Sequence, residues 1–169
     1  MKKLWMTNGT YDYLAKLQME HSDLVIVQDG DQSLAIMEGE KQDLFSEARE
    51  YEVIGEAGKL APRGFFVLNH IPVTYEGRPL FESRFKNRAG SIENEPGFEA
   101  FRLLRPDNSQ TYIVLTQWER ESDFEAWKNS QSFKKSHSQS PSNEKPEKPA
   151  YSAGPSYVKK YQVIQPEEN

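Results

Sequence analysis

The sequence predicts an α+β fold in which a complete β-α-β-β-α-β unit follows a worn copy of itself. Three observations carry this. Apolar runs with strand and helix spacing alternate in that order from Gly64 onward. Residues 1–60 repeat most of the order in shorter pieces. An open four-stranded sheet also leaves one face to be covered, which a second unit in the same chain can do.

Taken in order, Lys3–Met6 reads as a short strand. Tyr11–Met19 reads as a helix, with Tyr11, Leu14, Leu17 and Gln18 at helical spacing. Leu24–Val27 and Leu34–Met37 flank Asp29-Gly30, a hairpin signal. A second helix has room only near Asp43–Arg49, and Tyr51–Ile54 closes the unit. Gly64–Val73 is apolar on both alternating faces and reads as a buried strand. Pro79 suits the first turn of a helix that runs to about Arg88, with Phe81 and Phe85 on one side. After a Pro96-Gly97 turn, Phe98–Leu104 and Tyr112–Trp118 form a hairpin across the Asp107-Asn108 break. Ser122-Asp-Phe-Glu125 has the form of a capping box and opens a helix through Trp127. Tyr157–Ile164 is the last strand.

This order is the split βαβ, ferredoxin-like plan. The expected division is an N-terminal degenerate ferredoxin-like α+β domain over residues 1–62 and a complete one over 63–169, together forming a pseudo-dimer. The expected assembly is therefore a monomer with an internal pseudo-partner rather than a homodimer. Ser138–Ser156 holds five Ser and four Pro but no Leu, Ile, Val or Phe, so burial cannot offset its ordering entropy. The expectation there is a mobile loop, 138–156.

Composition narrows the function. Leu, Ile, Val and Phe make up 36 of 169 residues, enough for a core but not for the whole chain. The net charge of −5 carries no basic footprint for nucleic acid. Cysteine is absent, which excludes disulfides, thiolate catalysis and Cys-ligated metal centres. The apolar run after Lys2-Lys3 stops at Met6, too short for a signal peptide. The longest apolar stretches, Leu24–Val27 and Phe65–Leu68, fall far below the ~20 residues of a membrane span. A cytoplasmic protein with no membrane or nucleic-acid partner is expected.

Candidate polar residues are few. Of the histidines His21, His70 and His137, His21 follows a polar helix end. In the buried strand, Asn69 shares a face with Val67 and Ile71, and His70 with Phe66 and Leu68. One of these two polar side chains must point into apolar surroundings, and an unpartnered buried amide costs about 1–3 kcal/mol. Trp127 and His137 lie ten residues apart, roughly 15 Å along a continuous helix. Asn129-Ser130-Gln131-Ser132 favours a helix break, which could turn both toward one cavity. By spacing alone Trp127 reads as an ordinary core residue beside Phe124. Trp5 and Trp118 lie within strands and read as core. Arg84 and Arg88 read as a solvated helix face.

The segment from Asn69 to His137 resembles the IsdG-type haem-degrading monooxygenases of the antibiotic-biosynthesis monooxygenase (ABM) superfamily. The resemblance rests on Asn69-His-Ile-Pro-Val73, Arg84-Phe85, Pro96-Gly97-Phe98, Leu104-Arg105-Pro106, Thr116-Gln-Trp118, Phe124-Glu-Ala-Trp127, Ser132-Phe133 and His137. It covers about 70 residues, with the closing strand beyond. The family's Asn, Trp and His fall on Asn69, Trp127 and His137, all intact. The extended N-terminal half resembles a two-half Bacillus branch of the family and, in length, the staphylococcal TRAP-like branch to which a signalling role is attached.

The resemblance implies haem as substrate and cofactor together. His137 would be the axial ligand of the haem iron, Asn69 an amide donor on the open side where O2 reacts, and Trp127 a packing partner that distorts the macrocycle. The chain has no G-x-G-x-x-G fingerprint, so an external electron donor, a reductase or small reductant, is implied. Two other classes stay open at this level. One is a non-catalytic TRAP-like signalling or stress protein; the other is a cofactor-free monooxygenase acting on an aromatic substrate.

Overall fold

A computed structural model of the chain describes residues 2–40, 44–45, 47–86, 92–130 and 150–163. Its elements run β1 (Lys3–Gly9), α1 (Tyr11–Glu20), β2 (Val25–Asp29), β3 (Gln32–Gly39), β4 (Arg49–Gly58), β5 (Phe65–Pro72), α2 (Arg78–Lys86), β6 (Phe98–Pro106), β7 (Thr111–Trp118), α3 (Glu121–Lys128) and β8 (Tyr157–Val163). No helix among the described residues is long and apolar enough to cross a membrane.

The strands close into one barrel in the order β1-β3-β2-β8-β5-β7-β6-β4. Cut at two seams, the barrel falls into β4-β1-β3-β2 and β8-β5-β7-β6, the same ferredoxin-like order in each half. The halves join edge to edge, all pairs antiparallel. The β4–β6 seam runs from Tyr51↔Pro106 to Gly58↔Ala100, whereas the β2–β8 seam has only Val27↔Val163 and Gln28↔Gln162. The second unit therefore does more than cover a face, because it pairs every edge that an open sheet would leave bare.

Period-two alternation sorts the side chains into two faces. The interior cluster draws on all eight strands, among them Leu4, Val27, Ile36, Tyr51, Phe66, Leu104, Leu115 and Tyr161. The two halves thus share one core. Outside, Trp5, Leu24, Ile26 and Phe45 pack beneath α1 against its Leu14. A larger cluster containing Phe65, Val67, Ile71, Phe81, Leu103, Tyr112, Trp118 and Phe124 fills the space under α2 and α3.

Several sequence expectations change. The hairpin forms, but Asp29 pairs with Gln32, so its turn is Gly30-Asp31, with Gly30 at φ +59°. No helix forms at Leu44, Phe45, Glu47 or Ala48, and Arg49 already begins β4; Phe45 instead drops into the outer cluster as a plug. Arg88 lies outside the described residues. The capping box at Ser122 does not form. The Arg120 carbonyl accepts the Asp123 and Phe124 N–H groups, so α3 starts a residue before Ser122 with no side-chain cap, and Glu125 pairs with Lys160 at 3.0 Å. Finally, of the expected mobile loop 138–156, residues 138–149 lie outside the described residues and the closing ones are anchored. Thr74 donates to the Tyr151 carbonyl, Ala153 donates to the Pro72 carbonyl, and Ser152 bridges Val73.

Candidate functional site

The candidate residues Asn69 and Trp127 both lie on the outer face of the C-terminal half, the face of Val67 and Ile71. β5 is a central strand, flanked by β7 and β8, so Asn69 lies between Val114 and Val158 in register. Residues directly opposite one another share a face, so Asn69 looks out among Val67, Ile71, Val114 and Val158. Its Oδ1 is buried and has no hydrogen-bond partner among the described residues. Most buried polar side-chain atoms find a partner. Asn69 Oδ1 is an exception to that rule, in the middle of a central strand. Val158, opposite it, is 51% exposed, an apolar surface beside the amide.

α3 supplies Trp127. Phe124 anchors the helix, with its ring 6.3 Å from Phe65 and 6.0 Å from Trp118. Trp127 lies one turn further on, 5.6 Å from Trp118, and stays half-buried against the same cluster as Val67 and Ile71. Trp118 is fully buried as expected, and its Nε1 donates to Thr116 Oγ1 at 2.9 Å. Trp5 is core as well, with its Nε1 donating to Glu50. The helix ends where the cap-forming residues foretell. Asn129 is its C-cap, and the Ser130 hydroxyl donates to the Trp127 carbonyl at 2.6 Å. The break thus follows directly on Trp127's turn. His137 lies outside the described residues.

The opposite wall is α2. Phe81 packs on Tyr112 and on Tyr151, with centroids 4.6 and 5.1 Å away. A charged clamp that the sequence reading missed fixes this helix. Glu82 takes two hydrogen bonds from Arg105, at 2.9 and 2.5 Å, and one from the Tyr112 hydroxyl, while Arg105 also reaches Glu52 at 3.1 Å. Burial and the Glu82 carboxylate raise the Tyr112 phenol above its ordinary value. Arg84 is exposed, with its guanidinium 5.9 Å from the Tyr151 ring.

His70 faces the other way, into the barrel, as alternation requires. It stacks on Tyr157 at 4.6 Å and 7°. Burial, with Lys159 and Arg49 nearby, holds its pKa below the usual histidine value. His21 caps the C-terminus of α1 through its backbone N–H, which donates to the Leu17 carbonyl.

Residues 64–139 match the family model "Antibiotic biosynthesis monooxygenase". A "Heme-degrading monooxygenase" of Listeria monocytogenes is 28% identical over 132 residues, covering 77% of this chain and 79% of the relative. A "Signal transduction protein TRAP" of Staphylococcus aureus is 29% identical over 136 residues, 79% of this chain and 81% of the relative. Among solved structures, a monooxygenase-like protein of Listeria innocua superposes with a TM-score of 0.76 at 25% identity, covering 99% of this chain and 96% of that one.

Proposed function

We propose that this chain, a member of the antibiotic biosynthesis monooxygenase superfamily through its C-terminal half, is a haem-degrading monooxygenase whose site is the outer face of β5 beneath α2 and α3. The observation that carries the reading is the buried, unpartnered Asn69 Oδ1 on the same sheet face as Val67 and Ile71, whose apolar cluster also holds Trp127. These residues fit a flat apolar ligand with one polar centre. Trp127 offers a half-buried indole face backed by Trp118 and Phe124. Asn69 offers one amide where its neighbours are hydrocarbon. A turn of the side chain about its last torsion exchanges Oδ1 for Nδ2, so the position can present a donor as readily as an acceptor.

Haem bound here would supply the iron and the ring that is opened, with O2 and electrons arriving from a reductase or small reductant. The protein's own groups would do the rest. The apolar cluster would exclude water from the ring. Asn69 would hold an N–H at the point where negative charge develops, among apolar neighbours where such a donor acts strongly. Trp127 would press on the macrocycle from the α3 side. His137, reached after the break that ends α3, would give its imidazole nitrogen to the iron. Cytoplasmic location belongs to the same reading.

The test is a haemin titration followed by ascorbate in air with catalase present. Saturable one-to-one binding, then loss of the Soret band with a new bilin-like absorption, is expected. His137→Ala should lose binding and turnover together, while Asn69→Ala should bind haemin and fail to degrade it. The similarity to the signalling protein, as high as that to the haem-degrading one, supports a second reading: a haem-binding regulator without turnover. Binding without bleaching would establish it. Absence of haemin binding would leave a cofactor-free aromatic oxygenase.

A further inference from the structure

The two ends of the barrel differ. One end is plugged. The linker after β4 crosses it and is pinned by the fully buried Gln117, which takes the Ala61 N–H at 3.1 Å and donates to the Ala61 and Arg63 carbonyls at 3.0 and 2.8 Å. Beside it, Arg102, 2% exposed, reaches Glu38 at 2.5 Å and caps the Ala57 and Gly58 carbonyls. The other end is open, with a cavity of about 340 Å3 that descends into the barrel between β1, β3, β4, β5, β7 and β8.

That cavity has a definite chemistry. Its floor is hydrocarbon, formed by Met6, Leu34, Leu68 and Ile113. Its walls carry the buried rings of Tyr51 and Tyr161, and the His70–Tyr157 stack stands at the rim. Two cations, Arg49 and Lys159, complete the rim, and neither forms an ion pair with a carboxylate among the described residues; Arg49 donates to the neutral Asn8 Oδ1, at 2.9 Å, and lies against the Tyr51 hydroxyl. Asp29, whose charge is felt by Tyr161, does not line the cavity. Cations over an aromatic wall and an apolar floor describe an amphipathic anion. A guanidinium matches a carboxylate in shape as well as charge, and small barrels commonly hold one ligand in their mouths.

We propose that the open end of the barrel is a second ligand site, which takes a small aromatic carboxylate with its ring on Tyr51 and Tyr161 and its charge between Arg49 and Lys159. The site is independent of the outer face, because His70 and Asn69 are consecutive on β5 and point to opposite sides of the sheet. Burial is the main cause of the low His70 pKa, and an anion there offsets the two cations that add to it, which gives a local reporter.

The probe is 1-naphthoate, titrated calorimetrically into the full chain without haem. Saturable one-to-one binding is expected, weakened about tenfold or more by replacing the carboxylate with a hydroxymethyl group. Arg49→Gln with Lys159→Gln, both on exposed side chains, should weaken it similarly while leaving the circular dichroism spectrum unchanged. Saturation should move the His70 titration midpoint upward by NMR. No binding at millimolar naphthoate overturns the proposal. So does binding that the double substitution leaves unchanged, or binding that leaves the His70 midpoint where it was.

Discussion

At the scale of single residues, Asn69 sets stability against function. An orphaned buried amide oxygen costs about 1–3 kcal/mol, and Asn69 Oδ1 has no partner among the described residues to offset it. Asn69→Leu should therefore unfold at equal or higher denaturant concentration than the parent, with stability gained by about 1 kcal/mol, while haem turnover is lost. A clear loss of stability on urea unfolding would mean the amide has a structural partner and would remove it from the site. His70 makes a separate case. Its folded pKa is depressed by burial, then by Lys159 and Arg49. A depressed histidine favours the fold in its neutral form, so its contribution is complete above the unfolded value near 6.5. It fades as pH falls through the lower folded value. Stability should drop as the solution is acidified from pH ~7 toward ~5, and His70→Gln should flatten that drop. An unaltered slope in the variant would assign the acid sensitivity elsewhere.

At the scale of elements, the sequence patterns located strands and helices but not all their ends. β5, β6, β7 and β8 were legible because their apolar runs are long and bounded by Gly, Pro or Asx residues. The face of Asn69 followed from alternation alone. Its orphaned state did not, since that depends on what β7 and β8 place beside it. The start of α3 shows how a local motif loses. Ser122 and Glu125 have the spacing of a capping box, but the chain leaves β7 with the Glu119 N–H bound to the Gly97 carbonyl, which starts the helix early. Glu125 is then drawn to Lys160 on β8. Ser122→Ala should accordingly change stability by less than about 0.5 kcal/mol in thermal unfolding, where loss of a working cap would cost about 1 kcal/mol. Arg49 and Lys159 were not legible as a pair, because only barrel closure brings two residues so distant in sequence to one rim.

At the scale of the whole molecule, closure explains why two such unequal halves stay together. The N-terminal half forms no second helix over the described residues between β3 and β4, and its β2–β8 seam pairs only two residues of each strand. What unites the halves is the shared interior, the long β4–β6 seam and the ion pair that Arg102 on β6 makes past β4 and β1 to Glu38 on β3. With every sheet edge already paired inside one chain, light scattering should give a mass near 19.5 kDa; a stable dimer would mean that an outer face, not an edge, associates. The ion pair itself yields a sharper test. Removing one member of a buried pair strands the other and costs about 3–5 kcal/mol, whereas replacing both by apolar groups is often close to neutral. Arg102 also caps three backbone carbonyls, those of Ala57, Gly58 and Phe101. Arg102→Met should therefore lose most of that range by urea unfolding, and adding Glu38→Met should recover only part of it, because the carbonyls at the plugged end remain uncapped. Full recovery in the double variant would show that the carbonyl contacts contribute nothing. No recovery would show that capping the linker, rather than joining the halves through Glu38, is what Arg102 does.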